Sequence, residues 1–227
     1  MQITIHTPTN SLQESLDFYR KLNFRQISDH PVLLTDGIAL IEVNPDRFAR
    51  AGVKLRKQTW KDEVALLEML TVCTKTSDGY LLGEQSGTRI YLAEEEPELN
   101  FIPEEKSFGS TGQFAGLSLE TTDLKRSGAI YEALGFSPFG GSPEAGYVSL
   151  TLDGFAIHLM RPLSCPHLFF NPSMTYFNGA NNLSVIEAIR KSGIPIAEEI
   201  THFNKSGIVD NIIIRDPGGY GFFLFSD

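Results

Sequence analysis

Two histidines and two carboxylates lie on short runs of alternating polarity, where a strand would aim them off an apolar face. His158 sits in "FAIHLM", with apolar residues on both sides. In that context it is either a hydrogen-bonded core side chain or, facing a cavity, the best general base in the chain, because imidazole titrates near neutrality. Glu120 ends "AGLSLE" and reads as half exposed at a cavity mouth, a second candidate for acid–base work. His6 alternates with Thr4 and Gln2 and would share their face, in a place corresponding to that of Glu120. Glu42 closes the apolar run "GIALIE", either as a strand-end carboxylate in water or as a site carboxylate. The aromatics Tyr91, Phe155, Tyr176, Phe177, Tyr220 and Phe223 complete the set. Some belong to packing; the others could wall a pocket or stack on a flat ligand.

Other chemistry is poorly represented. His30, His167 and His202 fall in loop-like contexts and read as solvated, although His167 lies beside several aromatics. There is no G-x-S-x-G elbow, Walker motif or dinucleotide fingerprint. "FGGSPEAG" (Phe139 to Gly146) is rich in glycine but precedes no strand-to-helix switch, so it reads as a mobile loop over a cavity rather than a phosphate cradle. Cys73 and Cys165 are far apart, with neither a disulfide framework nor metal-ligand spacing.

The 227 residues carry a net charge of −9 and are 41% hydrophobic and 21% charged, a composition that can fill one or two cores. An acidic surface repels phosphate backbones, which argues against nucleic-acid partners. No apolar run approaches the roughly 20 residues that span a bilayer, so no membrane partner is expected. The start "MQITIHTPTN" lacks the basic and apolar stretches of a secretory signal, giving the expectation of a cytoplasmic protein.

The elements that must position these residues repeat. "SLQESLDFYRKLNF" overlies "DLKRSGAIYEALGF" at a constant offset, matching Leu12, Ser15, Tyr19, Leu22 and Phe24 with Leu124, Ser127, Tyr131, Leu134 and Phe136. Ser11 and Glu14 predict a capping box, and Asn23 and Gly135 left-handed C-terminal caps. A strand precedes each helix and strands joined by Asp-Gly turns follow it, so each unit reads strand, helix, strand, strand, strand. Fainter copies place helices over Trp60 to Leu70 and Asn182 to Ser192. The acidic, proline-bearing stretch from Ala93 to Gly112 has no strand or helix period. The expected organisation is α+β: a first half over residues 1–95, a linker over 96–113 and a second half over 114–227, each half made of two modules.

The segments "SLDFYRKLNF", "TDLKRSGAIYEALGF", "VLLTDG", "LLGEQSGTRIYLAE" and "IRDPGGYGFFLF" resemble the vicinal oxygen chelate superfamily, which includes glyoxalase I, bleomycin-resistance proteins and extradiol dioxygenases. The resemblance implies paired βαβββ units that form glyoxalase-like cupped half-barrels. It also implies metal ligands early in first strands and on last strands. On this chain the last-strand positions fall on Ile41 (or Glu42 with a one-residue shift), Tyr91, His158 and Phe223. The first-strand positions fall near Gln2, Val53 or Lys54, Gly116 and Ser173. Phe223 stands where a metal-using relative has glutamate, and a phenyl ring cannot coordinate a cation. The resemblance therefore implies a metal-free protein that binds a small, partly aromatic molecule in an apolar cavity formed by His6, Glu42, Tyr91, Tyr176 and Phe223, with no cofactor. The alternative is a lyase, isomerase or dioxygenase using zinc, nickel, manganese or iron, with Gln2, Glu42 and His158 as the nearest ligands. Metal-free catalysis by His158 or Glu120 is a third reading. Both monomer and homodimer are compatible with four units in one chain, and whether the first unit pairs with the second or the fourth stays open.

Overall fold

The computed structural model describes residues 1–96 and 100–226. The first module runs β1 (Gln2–Pro8), α1 (Leu12–Lys21), β2 (Arg25–Asp29), β3 (Val32–Thr35) and β4 (Leu40–Asn44). The second runs β5 (Gly52–Lys57), α2 (Lys61–Leu67), β6 (Cys73–Lys75), β7 (Gly79–Gly83) and β8 (Arg89–Glu94). The third runs β9 (Phe114–Glu120), α3 (Leu124–Ala133), β10 (Ser137–Ser142), β11 (Tyr147–Leu152) and β12 (Phe155–Met160). The fourth runs β13 (Ser173–Phe177), α4 (Asn182–Ser192), β14 (Ile196–Ile200), β15 (Asn211–Arg215) and β16 (Gly221–Phe225).

Local signals account for these elements. The Ser11 side chain accepts from the Glu14 amide and Asp123 from the Arg126 amide, capping α1 and α3. Asn23 (φ 61°) and Gly135 (φ 96°) take the left-handed conformation just beyond each helix. Asp153 and Gly154 are both at positive φ, as a two-residue hairpin between β11 and β12 requires. α2 is shorter than its periodicity suggests: after Leu67 the chain tightens, with the Leu70 amide bonded to the Leu67 carbonyl at 2.8 Å.

The strands form two eight-stranded sheets, β2-β3-β4-β1-β5-β8-β7-β6 and β10-β11-β12-β9-β13-β16-β15-β14. The first module therefore pairs with the second, and the third with the fourth. Each sheet is a cup, with helices on its convex side. Buried apolar residues from both halves, among them Ile5, Tyr19, Val53, Tyr131, Met174 and Phe222, form one continuous core. Phe18 packs edge-on against Phe222, with ring centroids 5.7 Å apart, so α1 lies against the opposite sheet.

Polar contacts also cross between the halves. The Asp216 carboxylate, in the turn between β15 and β16, accepts from the Thr7 hydroxyl at 2.7 Å, the Tyr19 hydroxyl at 2.8 Å and the Tyr220 amide at 2.7 Å. The Tyr220 hydroxyl in turn donates to the Gly52 carbonyl. Ser127 of α3 donates to Glu84, in the turn before β8, at 2.7 Å. Of the expected linker, residues 97–99 lie outside the described residues, and the part from 104 to 108 is docked: the Glu104 and Phe108 amides bond to Gly37 and Asp36 carbonyls, and the Arg25 guanidinium lies 3.9 Å from the Phe108 ring centroid.

Candidate functional site

Because side chains alternate along a strand, one face of each sheet packs on the core and the other lines the cup. In the first sheet His6 pairs with Glu42, Thr4 with Lys54, and Lys54 with Tyr91 across β4-β1-β5-β8. In the second sheet Ser118 pairs with His158 and with Ser173, and Thr175 with Gly116 and Phe223, across β12-β9-β13-β16. Superposing these registers makes Glu42 equivalent to His158, Tyr91 to Phe223, Lys54 to Thr175 and His6 to Ser118. Ile41, fully buried, points into the core, so Glu42 takes the last-strand position. The equivalent of His6 is Ser118 rather than Glu120.

The first cup holds a compact ionic network. Glu42 is 3% exposed, and its two oxygens are bonded by the Lys54 ammonium and the Arg56 guanidinium. Arg56 also donates to Thr4 Oγ1 and Glu95 Oε1, each at 2.8 Å. Burial pushes the Glu42 carboxyl up, but Lys54 and Arg56 outweigh it and hold it below the usual carboxylate range. His6 Nδ1 lies 3.0 Å from the Arg50 carbonyl and Nε2 lies 3.0 Å from Asn44 Nδ2. Nδ1 therefore donates and Nε2 accepts from the Asn44 amide, a neutral tautomer that agrees with the lowering of the His6 pKa by burial. Tyr91 lies against His6, with centroids 4.4 Å apart, and its hydroxyl accepts from the Arg50 amide. The expectation of an uncharged apolar bowl fails for this cup. Val53 and Leu55 alternate with Lys54 and Arg56 along β5, and that polar face turns into the cup, not to water.

The second cup is ring-lined, with the carboxylates Glu120 and Glu198 bonded to the segment 161–172 at its edge. Phe177, Phe225, Phe223, His167 and Phe203 form a run, with successive centroids 5.2, 5.1, 4.6 and 6.0 Å apart. On the adjoining strands Ser118 and Thr175 share a hydrogen bond of 2.7 Å. His158 Nδ1 lies 2.9 Å from Ser149 Oγ and Nε2 3.3 Å from the Ala115 carbonyl, so Nε2 donates and Nδ1 accepts. Burial lowers its pKa, and with both nitrogens engaged it is held as a neutral wall residue. Phe139, from β10, packs edge-on to it at 6.0 Å. Of the glycine-rich segment expected to be a mobile loop, residues 139–142 lie in strand β10, with an irregularity between Pro138 and Gly140, and residues 143–146 form the turn to β11.

His167 departs most from its sequence reading. It lies on the strap 161–172 over Phe223, and both ring nitrogens are buried without a hydrogen-bond partner among the described residues. Burial lowers its pKa, partly offset by Glu198. Glu120 lies at the rim, where Oε1 accepts from the Leu163 amide at 3.1 Å and anchors this strap. Tyr176 lines neither cup: it is fully buried on the core face, stacked on Phe222, with its hydroxyl beside Asp36.

The structure thus divides the expected site residues. His6, Glu42, Tyr91 and Gln2 belong to the first cup, and His158, Phe223 and Glu120 to the second. The fallback ligand set Gln2, Glu42 and His158 spans two sheets and cannot hold one ion. Among the described residues no three His, Cys, Asp or Glu side chains converge as a metal site. A catalytic metal needs about three protein ligands, so the donor set fits neither cup. Sequence reading missed Arg56, Ser118, Thr175, His167 and Phe225, although period-two alternation from Lys54, Glu120, Ser173 and Phe223 could have found all but His167. A cavity of about 1000 Å³ opens where the halves meet, lined in part by Gln2, Leu40, Arg56, Phe101, Phe114 and Phe155. Among the described residues no helix is long and apolar enough to cross a membrane.

No family model and no curated protein matches the chain. Solved structures do. Homoprotocatechuate 2,3-dioxygenase from Brevibacterium fuscum is 13% identical with a TM-score of 0.57, over 99% of this chain and 80% of its own. The 2,3-dioxygenase LapB from Pseudomonas sp. KL28 is 15% identical with a TM-score of 0.55, over 99% and 91%. The Mn(II)-bound glyoxalase from Novosphingobium aromaticivorans is 11% identical with a TM-score of 0.56, over 97% and 79%. With two βαβββ-paired cups spanned almost end to end by these neighbours, the chain has the fold of the vicinal oxygen chelate superfamily.

Proposed function

We propose that the protein binds a flat, partly aromatic small organic molecule in its second cup and does so without a metal. One observation carries the reading: the His167 ring lies on Phe223, inside a run of aromatic rings, with both nitrogens buried and unpartnered. Buried polar atoms rarely go without partners. A ligand whose ring stacks along Phe223 and Phe225 while its edge carries a hydrogen-bonding group would supply them. The neutral histidines and the Ser118–Thr175 hydroxyl pair suit an uncharged ligand, and the net charge of −9 disfavours an anion. Among the described residues, metal-dependent lyase, isomerase or dioxygenase chemistry finds no converging donor set in either cup.

Fluorescence titration with 2-naphthol and with naphthalene tests this. Naphthol should bind more tightly than naphthalene, and excess EDTA should change neither. Phe223→Ala should weaken both about three- to ten-fold, the range of one aromatic contact. His167→Phe should remove the preference for naphthol. Affinity abolished by EDTA, or no binding of either probe, would refute the reading.

A further inference from the structure

We infer that Lys54 is a tethered cation: its ammonium, with the Arg56 guanidinium, takes the place in the first cup that a metal ion would fill. The inference concerns the first cup alone and stands apart from the ligand site proposed for the second. Position is the first argument. Lys54 lies on β5 between β1 and β8, opposite Thr4 and Tyr91, on the face that also carries His6 and Glu42 one row away. Its ammonium bonds Glu42 Oε1, the oxygen that lies 3.7 Å from His6 Nε2, so it engages the carboxylate oxygen that an ion shared by these two side chains would need.

Charge is the second argument. Lys54 and Arg56 balance Glu42 and Glu95, and His6 is held neutral by the Arg50 carbonyl and the Asn44 amide. Side-chain exposure is 13% for Lys54, 4% for Arg56 and 4% for Glu42, so water screens this group poorly. A divalent ion placed among them would leave two positive charges uncompensated beside two existing cations.

The third argument is the contrast between the cups. At equivalent positions the second cup carries His158, Ser118, Thr175 and Phe223, with Phe177 in place of Arg56. The same row of strands is ionic and self-satisfied in one half and neutral in the other. The first cup is therefore closed by its own charges, a supporting module that needs no ion.

The test is calorimetric titration of Mn²⁺ and Zn²⁺ into the full chain, alongside thermal unfolding. The wild-type protein should bind neither ion stoichiometrically at micromolar concentration. Lys54→His replaces the ammonium with a neutral donor beside His6 and Glu42, and it should acquire one metal equivalent and a Tm that rises with added metal. Lys54→Met should lower Tm. The double variant Glu42→Gln/Lys54→Met should lie closer to the wild type than the sum of its single changes, and this comparison stands even if Lys54→His does not fold. One tightly held ion in the wild-type protein, lost on Glu42→Gln, would overturn the inference. So would strictly additive single changes.

Discussion

Replacing Asp216 by alanine should destabilise the whole chain, and the cost follows from its contacts. The side chain is 3% exposed and accepts hydrogen bonds from Thr7, Tyr19 and Tyr220, the first two on the other half of the chain. Removing the acceptor leaves three buried donors. Thr7 has a weak alternative in the Pro8 carbonyl at 3.5 Å, whereas among the described residues the Tyr19 hydroxyl has no other bonded acceptor. At about 1–3 kcal/mol per orphaned buried group, discounted for Thr7, the loss is roughly 3–6 kcal/mol. For a chain of this size each kcal/mol moves Tm by about 2–4 °C, so Tm should fall by something on the order of 10 °C or more. Asp216→Asn is the control. Burial raises the Asp216 pKa against the pull of its donors, so the charge itself is costly to bury. The neutral amide keeps an acceptor for the Tyr220 amide and should cost only about 1–2 kcal/mol. Differential scanning calorimetry with both variants decides it. A Tm drop under about 2 °C for alanine, or equal drops for the two, would refute the reasoning.

Trp60 is the sole tryptophan, fully buried in the first half and bonded to the Ala93 carbonyl at 2.9 Å. Its fluorescence transition in urea should coincide with the far-UV dichroism of the whole chain, and separate from it in Asp216→Ala. A Cβ at Gly218 would meet the Pro8 carbonyl oxygen at 2.0 Å. Gly218→Ala should therefore cost about 1–3 kcal/mol, read as urea midpoint, whereas Gly154→Ala should strain only its own turn. Burial lowers the pKa of His6, His158 and His167, so below pH about 6.5 the unfolded chain takes up protons that the folded chain resists. Stability should thus be full above that pH and fall as the pH drops through the lowered values. Tm measured from pH 7.5 to 5 should decline, with a shallower slope in His6→Gln, and a flat profile would contradict the burial argument.

Much of the fold was legible because its signals are local. Capping at Ser11 and Asp123, left-handed Asn23 and Gly135, and the Asp-Gly turns each act within a few residues, and the repeat of α1 in α3 reinforced them. The last-strand positions were legible for the same reason: counting from a turn located Tyr91, His158 and Phe223, and left Ile41 and Glu42 as alternatives one residue apart. What escaped depends on distant partners. Alternation puts Lys54 and Arg56 on one face of β5, but that this face turns into a cup and not to water follows only once β5 is laid beside β1. Tyr176 was misplaced for a simpler reason: it was assigned by strand and not by face, and alternation from Thr175 puts it on the core face, where it pairs with Leu224 and stacks on Phe222. His167 looked like a loop histidine. Only the folding of its strap over Phe223 takes its ring nitrogens out of water.

The acidic turns have a reciprocal arrangement. Tyr19 of α1 reaches into the turn at Asp216 in the second half, while Ser127 of α3, at the counterpart of Ser15, reaches into the turn at Glu84 in the first. Each half thus completes the buried carboxylate of the other, as subunits do across a self-complementary two-fold interface. In these terms the polypeptide is a tethered pseudo-dimer, held together by mutual satisfaction rather than by its connecting segment. Proteolytic nicking within 100–106 would leave two fragments that still travel as one particle.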